Sequence, residues 1–481
     1  MVRLSRSPAA LEPAPDTRRR SWPSTVIPAV LAAVAGLIGV TGPSLWRDES
    51  VSAMAARMPL PGLWRLLGEM DAVHGLYYLL LRPFAHFEPV ELWLRLLSVL
   101  ATAAAACGVA ALARRLAGAA AGLSAGTIYA LLPMVSRYAQ EARGYALVSA
   151  VAVLATWLLV EYAERGGRRW VGYAASVALL GWLHLYALLL LPAHAVAARW
   201  RVLLPWAVAG AALLPLAAVA AGQRGVQVFW LKTPGVAELA GFPVEVAGGA
   251  GGAVLVFGLA AVGAWAARRT PLVAAWAFLP VVLSFVISQV QPVYHPRYVM
   301  FVVPGLALAA GIGAAHLASL VARRFAVHAG VSARGGRGRA VSAGVLVGLM
   351  ALTAGPHLDL RRPGSRPDDL RSLTAALAAD VRPGDRVLFV PERYRLFTAV
   401  YGGAFDTLAD LTHAPGAAAP RTGPELGAAL RGVDRVWLVS PRIGKRYAKD
   451  ERLLVLRELY RPAPTRTYGD VHLTLFTPVK P

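Results

Sequence analysis

The chain has 481 residues, of which 57% are apolar and 16% charged, and its mean hydropathy is +0.52. Soluble domains are about 45–50% apolar and about 25% charged, so this composition excludes a purely soluble enzyme and a disordered chain. The 49 basic and 27 acidic residues give a net charge of +22, whose meaning depends on where these residues lie. A single cysteine, Cys107, excludes a disulfide framework and a cysteine metal site.

Apolar runs of about 20 residues, the length that a membrane helix needs, recur along most of the chain. They predict a mainly α, polytopic membrane protein. The first run follows the arginines at 18–20, and we interpret it as a retained anchor rather than a signal peptide. Eleven runs are expected to span, near 23–41, 92–113, 118–135, 144–163, 170–183, 185–198, 202–221, 248–267, 272–290, 298–321 and 341–356.

Two kinds of segment alternate between these runs. Short arginine-rich segments belong in the cytoplasm by the positive-inside rule, which makes the basic tail 1–22 cytoplasmic. The longer segments of mixed charge then face outward, as does the C-terminus. The excess of positive charge is therefore mainly a topology signal, and we expect no nucleic acid partner. The outward segments, called the four polar loops below, are 42–91, 136–143, 222–247 and 291–297.

After Pro356 no spanning run remains, and residues 357–481 predict a small extracytoplasmic α/β domain. No glycine-rich phosphate loop occurs in this sequence, so nothing here indicates a nucleotide site. The predicted strands are 386–390, 435–439 and 471–476, and the predicted helices are 368–380, 422–431 and 447–459.

Two adjacent carboxylates, Asp48 and Glu49, stand in the first polar loop directly at a helix end. A carboxylate at the edge of a low-dielectric pocket holds its proton more tightly, which suits a general base. The alternatives are a solvated loop start or an ion pair with Arg47.

The same loop continues with two amphipathic stretches, 51–70 and 75–87, which predict helices lying in the membrane interface. His74 and Tyr77 lie at the start of the second stretch and are candidate binding residues. For His74 the alternative is a surface histidine or one whose hydrogen bonds are satisfied within the protein.

The second polar loop places two arginines and a glutamate, Arg137, Arg143 and Glu141, on the side where arginine is disfavoured. Guanidinium groups bind phosphate oxygens through paired hydrogen bonds, so these arginines are candidates for a lipid phosphate. The alternative is an arginine–glutamate pair that ties two helix ends together.

The third and fourth polar loops have a similar character. Arg224 and Trp230 suit a loop over a sugar or head group, although an interfacial aromatic belt explains the tryptophan equally well. His295 and Arg297 stand at the entry to the tenth run, where Arg297 either binds substrate or snorkels to the interface. Because every polar loop offers acidic, cationic or aromatic groups, we predict a catalytic site on the outer face.

Four segments, taken in their order along the chain, resemble the GT-C membrane glycosyltransferases. The similarity is to the bacterial family-39-like enzymes, akin to protein O-mannosyltransferases and aminoarabinose transferases, and covers roughly residues 20–350. The segments are Trp46-Arg47-Asp48-Glu49, His74-Gly75-Leu76-Tyr77-Tyr78, 137–145 and Pro296-Arg297-Tyr298.

The resemblance implies a transmembrane catalytic domain at 23–356 in the bacterial cytoplasmic membrane. It also implies a polyprenyl-phosphate-linked sugar as donor and a glycan, lipid or protein hydroxyl as acceptor. Asp48 would deprotonate this hydroxyl, and the sugar would be transferred with inversion. Glu49, the second catalytic candidate, would orient its neighbours, as would Glu141.

The leaving phosphate needs cationic stabilisation, for which the resemblance offers Arg137, Arg143 and Arg297, with His295 as a helper. Before the Tyr-Tyr pair that follows His74, the sequence lacks the proline expected in relatives, which weakens a metal site there. Metal dependence varies within the superfamily. We therefore expect no cofactor and leave a divalent metal open.

Two other classes of function would use some of the same residues. A polyprenyl-phosphate transporter or flippase could hold the lipid phosphate with the same arginines, but no inverted repeat is evident and the charges lie away from the midplane. A scaffold could bind a cell-envelope partner through the α/β domain. Loss of sugar transfer in an Asp48→Asn variant separates the enzyme from both.

Overall fold

The computed structural model describes residues 23–227, 231–329, 336–415, 417, 419–444 and 447–479. The predicted basic tail and Trp230 lie outside these residues, as does the side chain of Arg224. The α-helices of the membrane part are α1 (Pro23–Leu37), α2 (Arg47–Arg57), α3 (Leu60–Glu69), α4 (Gly75–Leu81), α5 (Val90–Ala117), α6 (Ala119–Leu131), α7 (Pro133–Ala139), α8 (Tyr145–Arg165), α9 (Arg169–Leu183), α10 (Leu191–Ala198), α11 (Leu203–Gln227), α12 (Val236–Ala247), α13 (Ala250–Ala266), α14 (Leu272–Val290), α15 (Val303–Ala329) and α16 (Gly336–Asp359). Short 3-10 helices lie at Ala72–His74, Arg82–Phe84, Leu185–Leu190, Arg199–Val202 and Pro296–Val302.

Each of the eleven predicted runs coincides with a helical segment, and the prediction of a mainly α, polytopic membrane protein is confirmed. Within the described ranges, six helical segments are long and apolar enough to cross a membrane, and two bent helix pairs raise this number to eight. Helix α1 is a shorter apolar helix of 15 residues. The total of eleven spans stays a prediction.

The two bent pairs have local causes. Helices α6 and α7 meet at 64°, where Pro133 at the first turn of α7 has no N–H to continue the ladder of α6. Helices α12 and α13 meet at 94° around Gly248, whose φ is +73°. A Cβ at Gly248 would lie 2.7 Å from Pro133 and from Pro356, so the bend requires glycine. This packing brings the ends of three helices together beside the polar loops.

The C-terminal domain is an α/β unit, as predicted. All three predicted strands and all three predicted helices are present, with ends shifted by a few residues. Three short strands, β2, β4 and β5, were not predicted. The helices are α17 (Leu370–Asp380), α18 (Thr398–Tyr401), α19 (Gly423–Ala429) and α20 (Glu451–Leu459), and the strands are β1 (Arg386–Phe389), β2 (Ala409–Asp410), β3 (Val436–Pro441), β4 (Tyr460–Pro462), β5 (Arg466–Tyr468) and β6 (Val471–Pro478).

The strands form one mixed sheet in the order β2-β1-β3-β6-β4, with β5 also paired to β6. β1 runs parallel to β2 and β3, whereas β6 is antiparallel to β3, β4 and β5. Successive residues of β1 and the residue that follows it enter different cores, since Val387 and Phe389 pack on one face while Leu388 and Val390 pack on the other. The sheet is therefore covered by apolar packing on both faces.

The segment 360–371 joins the C-terminal domain to the membrane part through several polar contacts. Arg361 donates to the carbonyl of Ala35 at 2.6 Å and to the Ser136 hydroxyl at 2.8 Å. Arg371 forms an ion pair with Glu91 at the start of α5. These contacts fix the C-terminal domain against the first and second polar loops.

Candidate active site

The three residues that open helix α2, Arg47, Asp48 and Glu49, point to different partners. Glu49 is fully buried and receives two hydrogen bonds from Arg95 of α5, each of 2.8 Å. The backbone N–H of Ala142, in the second polar loop, donates to the same carboxylate at 2.8 Å. Burial opposes the charge, but Arg95 outweighs it and holds the pKa of Glu49 below its ordinary value. Glu49 thus joins two polar loops and α5.

Arg47 lies on the other side of Asp48 and pairs with the C-terminal domain. Its guanidinium donates two hydrogen bonds to Asp368, of 2.6 and 2.8 Å, and a third of 3.3 Å to Asp470. Burial disfavours the cation, but Asp368 outweighs this effect and raises the pKa of Arg47. The ion pair that the sequence suggested between Arg47 and its neighbours is therefore made with Asp368.

Asp48 stands between these two anchored residues and faces a cavity. Its side chain is 23% exposed, and Oδ2 lies 3.4 Å from a guanidinium nitrogen of Arg297. Since both neighbours are fixed by carboxylate–guanidinium pairs, one fully buried and one partly buried, the backbone holds Asp48 toward the cavity. A carboxylate held in this way can accept a proton from a bound hydroxyl group.

The cavity has a volume of about 520 Å³ and is bounded by three of the four polar loops and by the C-terminal domain. A volume of this size suits a small ligand or head group. The C-terminal domain contributes apolar and charged side chains opposite Asp48. The residues that line the cavity include Trp46, Arg47, Asp48, Asp71, His74, Arg143, His295, Arg297, Pro367, Arg393, Tyr394, Phe397 and Asp470.

Arg143 and His74 meet on one wall of this cavity. The guanidinium of Arg143 lies 3.1 Å from Nε2 of His74. Burial, followed by the nearby Arg143 cation, lowers the pKa of His74 well below its ordinary value. The histidine is therefore neutral at pH 7, and Arg143 carries the positive charge of this wall. His74 is thus neither a simple surface residue nor a second cation.

Arg297 and His295 lie on a wall shared with a second cavity of about 440 Å³. The Arg297 guanidinium lies over the rings of Trp46 and Tyr298, at 6.0 and 5.4 Å from their centres. Nδ1 of His295 accepts the backbone N–H of Arg297 at 3.3 Å. Burial and the Arg297 charge lower the pKa of His295 to about 4. His295 is therefore a neutral neighbour that fixes the start of the 3-10 helix.

The second cavity contains the other pair that the sequence indicated. Arg137 donates to Glu141 at 3.2 Å and to the carbonyl of Ser365 at 2.9 Å, and both charged residues line the cavity. The arginine–glutamate pair, which was the alternative to phosphate binding, is thus present, and both side chains also line a cavity. Burial raises the pKa of Glu141, although Arg137 opposes this.

Three further candidates lie elsewhere, are only partly described or fall outside the described residues. Tyr77 is 1% exposed and belongs to the apolar core of the membrane part. Arg224 falls within helix α11 and its side chain is not described, while Trp230 is outside the described residues. Tyr77 therefore does not line the cavity, whereas Arg224 and Trp230 stay predictions.

Several site residues were not predicted. Asp71, in the left-handed conformation with φ of +59°, lines the cavity and accepts a 2.9 Å hydrogen bond from Tyr78. Arg95 could have been found from the sequence, because an arginine inside a predicted membrane run is energetically costly and needs a partner. Asp368 and Asp470 had none, since they approach the site only through the docking of the C-terminal domain.

Across the part of the chain that the structure describes, no group of three or more histidine, cysteine, aspartate or glutamate side chains could hold a metal ion. The charged side chains that line the cavity are three carboxylates and four guanidinium groups, those of Asp48, Asp71, Asp470, Arg47, Arg143, Arg297 and Arg393. Such a set can accept a proton at one point and stabilise an anion at another.

The fold is that of the GT-C membrane glycosyltransferases, as the sequence segments suggested. The solved structures with this fold include ArnT from Cupriavidus metallidurans in the apo state. Its TM-score is 0.61 at 14% sequence identity, and the match covers 94% of this chain and 97% of that one. No family model and no curated protein matches the sequence.

Two further neighbours were solved with lipid phosphates. One is the same ArnT bound to undecaprenyl phosphate, with a TM-score of 0.59, 14% identity and coverage of 94% and 97% of the two chains. The other is the oligosaccharyltransferase AglB from Archaeoglobus fulgidus, in complex with an inhibitory peptide and a dolichol-phosphate. Its TM-score is 0.52 at 12% identity, with 94% of this chain and 75% of that chain covered.

Proposed function

We propose that this protein transfers a sugar from a polyprenyl-phosphate-linked donor to the hydroxyl group of an acceptor, with inversion at the anomeric carbon. The observation that carries the proposal is the convergence of Asp48, Arg143 and Arg297 on one cavity of about 520 Å³. We place this cavity on the extracytoplasmic side, with the N-terminus in the cytoplasm. The acceptor is a glycan, lipid or protein of the cell envelope.

The structural neighbours support the lipid part of this proposal. ArnT was solved with undecaprenyl phosphate and AglB with dolichol-phosphate, and both share the fold of this chain. A phosphate with a long isoprenoid tail needs an anion-binding group at the membrane surface and an apolar path beside it. Arg297, at the start of the segment that becomes α15, offers the first of these.

In the proposed reaction, Asp48 accepts the proton of the acceptor hydroxyl. The hydroxyl oxygen forms a bond to the anomeric carbon from the face opposite the phosphate. The bond between that carbon and the phosphate oxygen breaks, and its electron pair remains on the departing polyprenyl phosphate. Arg143 and Arg297 stabilise the negative charge that develops there, because a buried cation acts strongly where water is scarce.

The remaining candidates have supporting roles in this scheme. Glu49 is a positioning residue, since both its oxygens are engaged by Arg95 and Ala142. His74 holds Arg143 as a neutral hydrogen-bond partner. Arg137 and Glu141 line the adjoining cavity, which shares Arg297 with the first, so we assign them to the approach of the lipid phosphate.

The function is tested with the purified protein in nanodiscs and a panel of undecaprenyl-phosphate-linked sugars labelled in the sugar. We expect release of unlabelled undecaprenyl phosphate and transfer of label to an added cell-envelope fraction. Nucleotide sugars should give no transfer. In proteoliposomes, where the two leaflets can be distinguished, movement of the intact donor between leaflets without cleavage would instead establish a flippase and contradict the proposal.

Arg143→Ala and Arg297→Ala should each weaken the binding of undecaprenyl phosphate by about 10- to 100-fold, because each loses a charge-assisted hydrogen bond worth about 1.5–3 kcal/mol. Binding is measured by microscale thermophoresis in nanodiscs. Arg362→Ala is the control, since Arg362 forms an exposed pair with Asp359. Wild-type affinity in both cavity variants would show that the phosphate binds elsewhere.

A further inference from the structure

We propose that Asp368, in the segment that joins the two domains, is a positioning residue of the catalytic centre because it caps the helix that carries Asp48. This inference rests on the proposed function, in which Asp48 is the base. It makes the C-terminal domain part of the active site rather than an appended module.

Helix α2 begins without a cap of its own. Its N-cap position is occupied by Trp46, which provides no side-chain hydrogen bond to the first turn. Helix N-termini carry unsatisfied N–H groups and a partial positive charge, so an aspartate oxygen there is stabilising. Asp48 and Glu49 both lie within this uncapped first turn.

Asp368 supplies the missing cap from 321 residues away in the sequence. Its Oδ2 accepts the backbone N–H of Arg47 at 3.0 Å and Nε of the same residue at 2.8 Å. Oδ1 accepts the terminal guanidinium nitrogen at 2.6 Å. Asp368 is fully buried, which shields its oxygens from competing water, while the Arg47 side chain is 32% exposed.

The position of Asp368 is itself fixed by the C-terminal sheet. Asp368 forms an isolated antiparallel bridge with Gly469, whose φ is +68°. The backbone N–H of Asp470 donates to the carbonyl of Pro367 at 2.6 Å. A Cβ at Gly469 would lie 2.1 Å from that carbonyl oxygen, so the turn between β5 and β6 is shaped to receive the linker.

A second set of contacts holds the residues just before α2. The backbone N–H of Leu45 donates to the hydroxyl of Tyr401 at 2.9 Å, and the Ser44 hydroxyl accepts the N–H of Leu370 at 3.1 Å. Tyr401 and Leu370 both belong to the C-terminal domain. The domain therefore fixes the backbone on the N-terminal side of Asp48 by hydrogen bonds. On the other side, Arg95 holds Glu49 through an ion pair.

Because helix α2 is held by contacts on both sides of Asp48, the loss of one set of contacts need not unfold the protein. Without Asp368, helix α2 is still anchored through Glu49 and Arg95, so the fold should persist. The first turn would lose its cap, and the released Arg47 cation would lie beside Asp48 within the cavity. Asp48 would then no longer be held in the geometry for proton transfer, whereas Arg143 and Arg297 belong to other elements and would still bind phosphate.

The test compares Asp368→Ala and Asp368→Asn with the wild type in nanodiscs, using the undecaprenyl-phosphate-linked sugar that the wild type cleaves. Asp368→Ala should lower kcat by up to about 100-fold, the loss expected for a misplacement of about 1 Å. Asp368→Asn keeps an oxygen for the Arg47 N–H but loses the charge, and its kcat should fall less. The Kd of undecaprenyl phosphate should stay at the wild-type value or fall in both, because Arg143 and Arg297 are kept and the released Arg47 adds positive charge to the cavity.

Asp359→Asn is the matched control, because Asp359 also pairs with an arginine but is exposed. Wild-type kcat in both Asp368 variants, alongside an inactive Asp48→Asn variant, would overturn the inference and leave the proposed function standing. If kcat, lipid affinity and thermal stability fell in parallel, Asp368 would be a structural residue only, which also overturns it. Full activity of Asp48→Asn would overturn the proposed function instead.

Discussion

Asp48→Asn should lower the rate of sugar transfer by about 100- to 10,000-fold, the usual contribution of a general base. Asparagine has nearly the same shape but cannot accept the proton of the acceptor hydroxyl. The affinity for undecaprenyl phosphate should remain at the wild-type value or rise. The reason is that the variant removes a negative charge 3.4 Å from Arg297, in the cavity where the phosphate would bind.

The measurement is release of undecaprenyl phosphate from the labelled donor, with lipid binding followed in parallel. Asp359→Asn serves as the control because it removes an exposed carboxylate from an arginine pair outside the cavity. Transfer at the wild-type rate in Asp48→Asn would contradict the assignment of the base, whatever the lipid affinity.

Breaking the pair between Glu49 and Arg95 should cause the largest loss of stability. Glu49→Gln or Arg95→Ala leaves one fully buried charge without its partner, and such losses are about 3–5 kcal/mol. Arg95 also donates to the carbonyls of Pro43 and Ser44, at 2.9 and 3.0 Å, so its removal frees further buried acceptors. Thermal unfolding in detergent and the yield of folded protein are the measurements.

A double variant supplies the internal comparison. Replacing both residues with leucine removes the two charges together, so we expect the double variant to be more stable than Arg95→Ala alone. The pH dependence of the protein's stability should reflect the same pair. Because the pKa of Glu49 is lowered in the folded protein, its stabilisation is present above its ordinary pKa of 4.5. This stabilisation is then lost as the pH falls toward the lowered value. If the wild type, the Arg95→Ala variant and the double variant were equally stable, a structural role for the pair would be contradicted.

The membrane helices and the main strands could be predicted because both depend on local patterns. A run such as 144–163 is long and apolar enough to specify a helix alone, and 386–390 carries enough β-branched and large apolar residues for a buried strand. Strands β2, β4 and β5 have two or three residues each, too few for any periodicity to appear.

Part of the candidate site could also be predicted from a local pattern. Asp48, Arg143 and Arg297 stood out as charges at the ends of apolar runs, and the structure brings them to one cavity. The local pattern does not separate Asp48 from Glu49, and only the family resemblance assigned them different roles. In the structure they differ because Glu49 pairs with Arg95, 46 residues away. Likewise, Asp368 becomes part of the site only through the docking of a separate domain, which no local pattern encodes.

The sequence separation of Arg47 and Asp368 bears on the order in which the protein is made. Domains fold largely as units, beginning with the N-terminal one during synthesis. The membrane helices are therefore inserted long before Asp368 leaves the ribosome, and during that interval helix α2 has no cap from Asp368. Completion of the site then waits for the C-terminal domain to fold, so the newly inserted membrane part should lack full activity until that domain has docked.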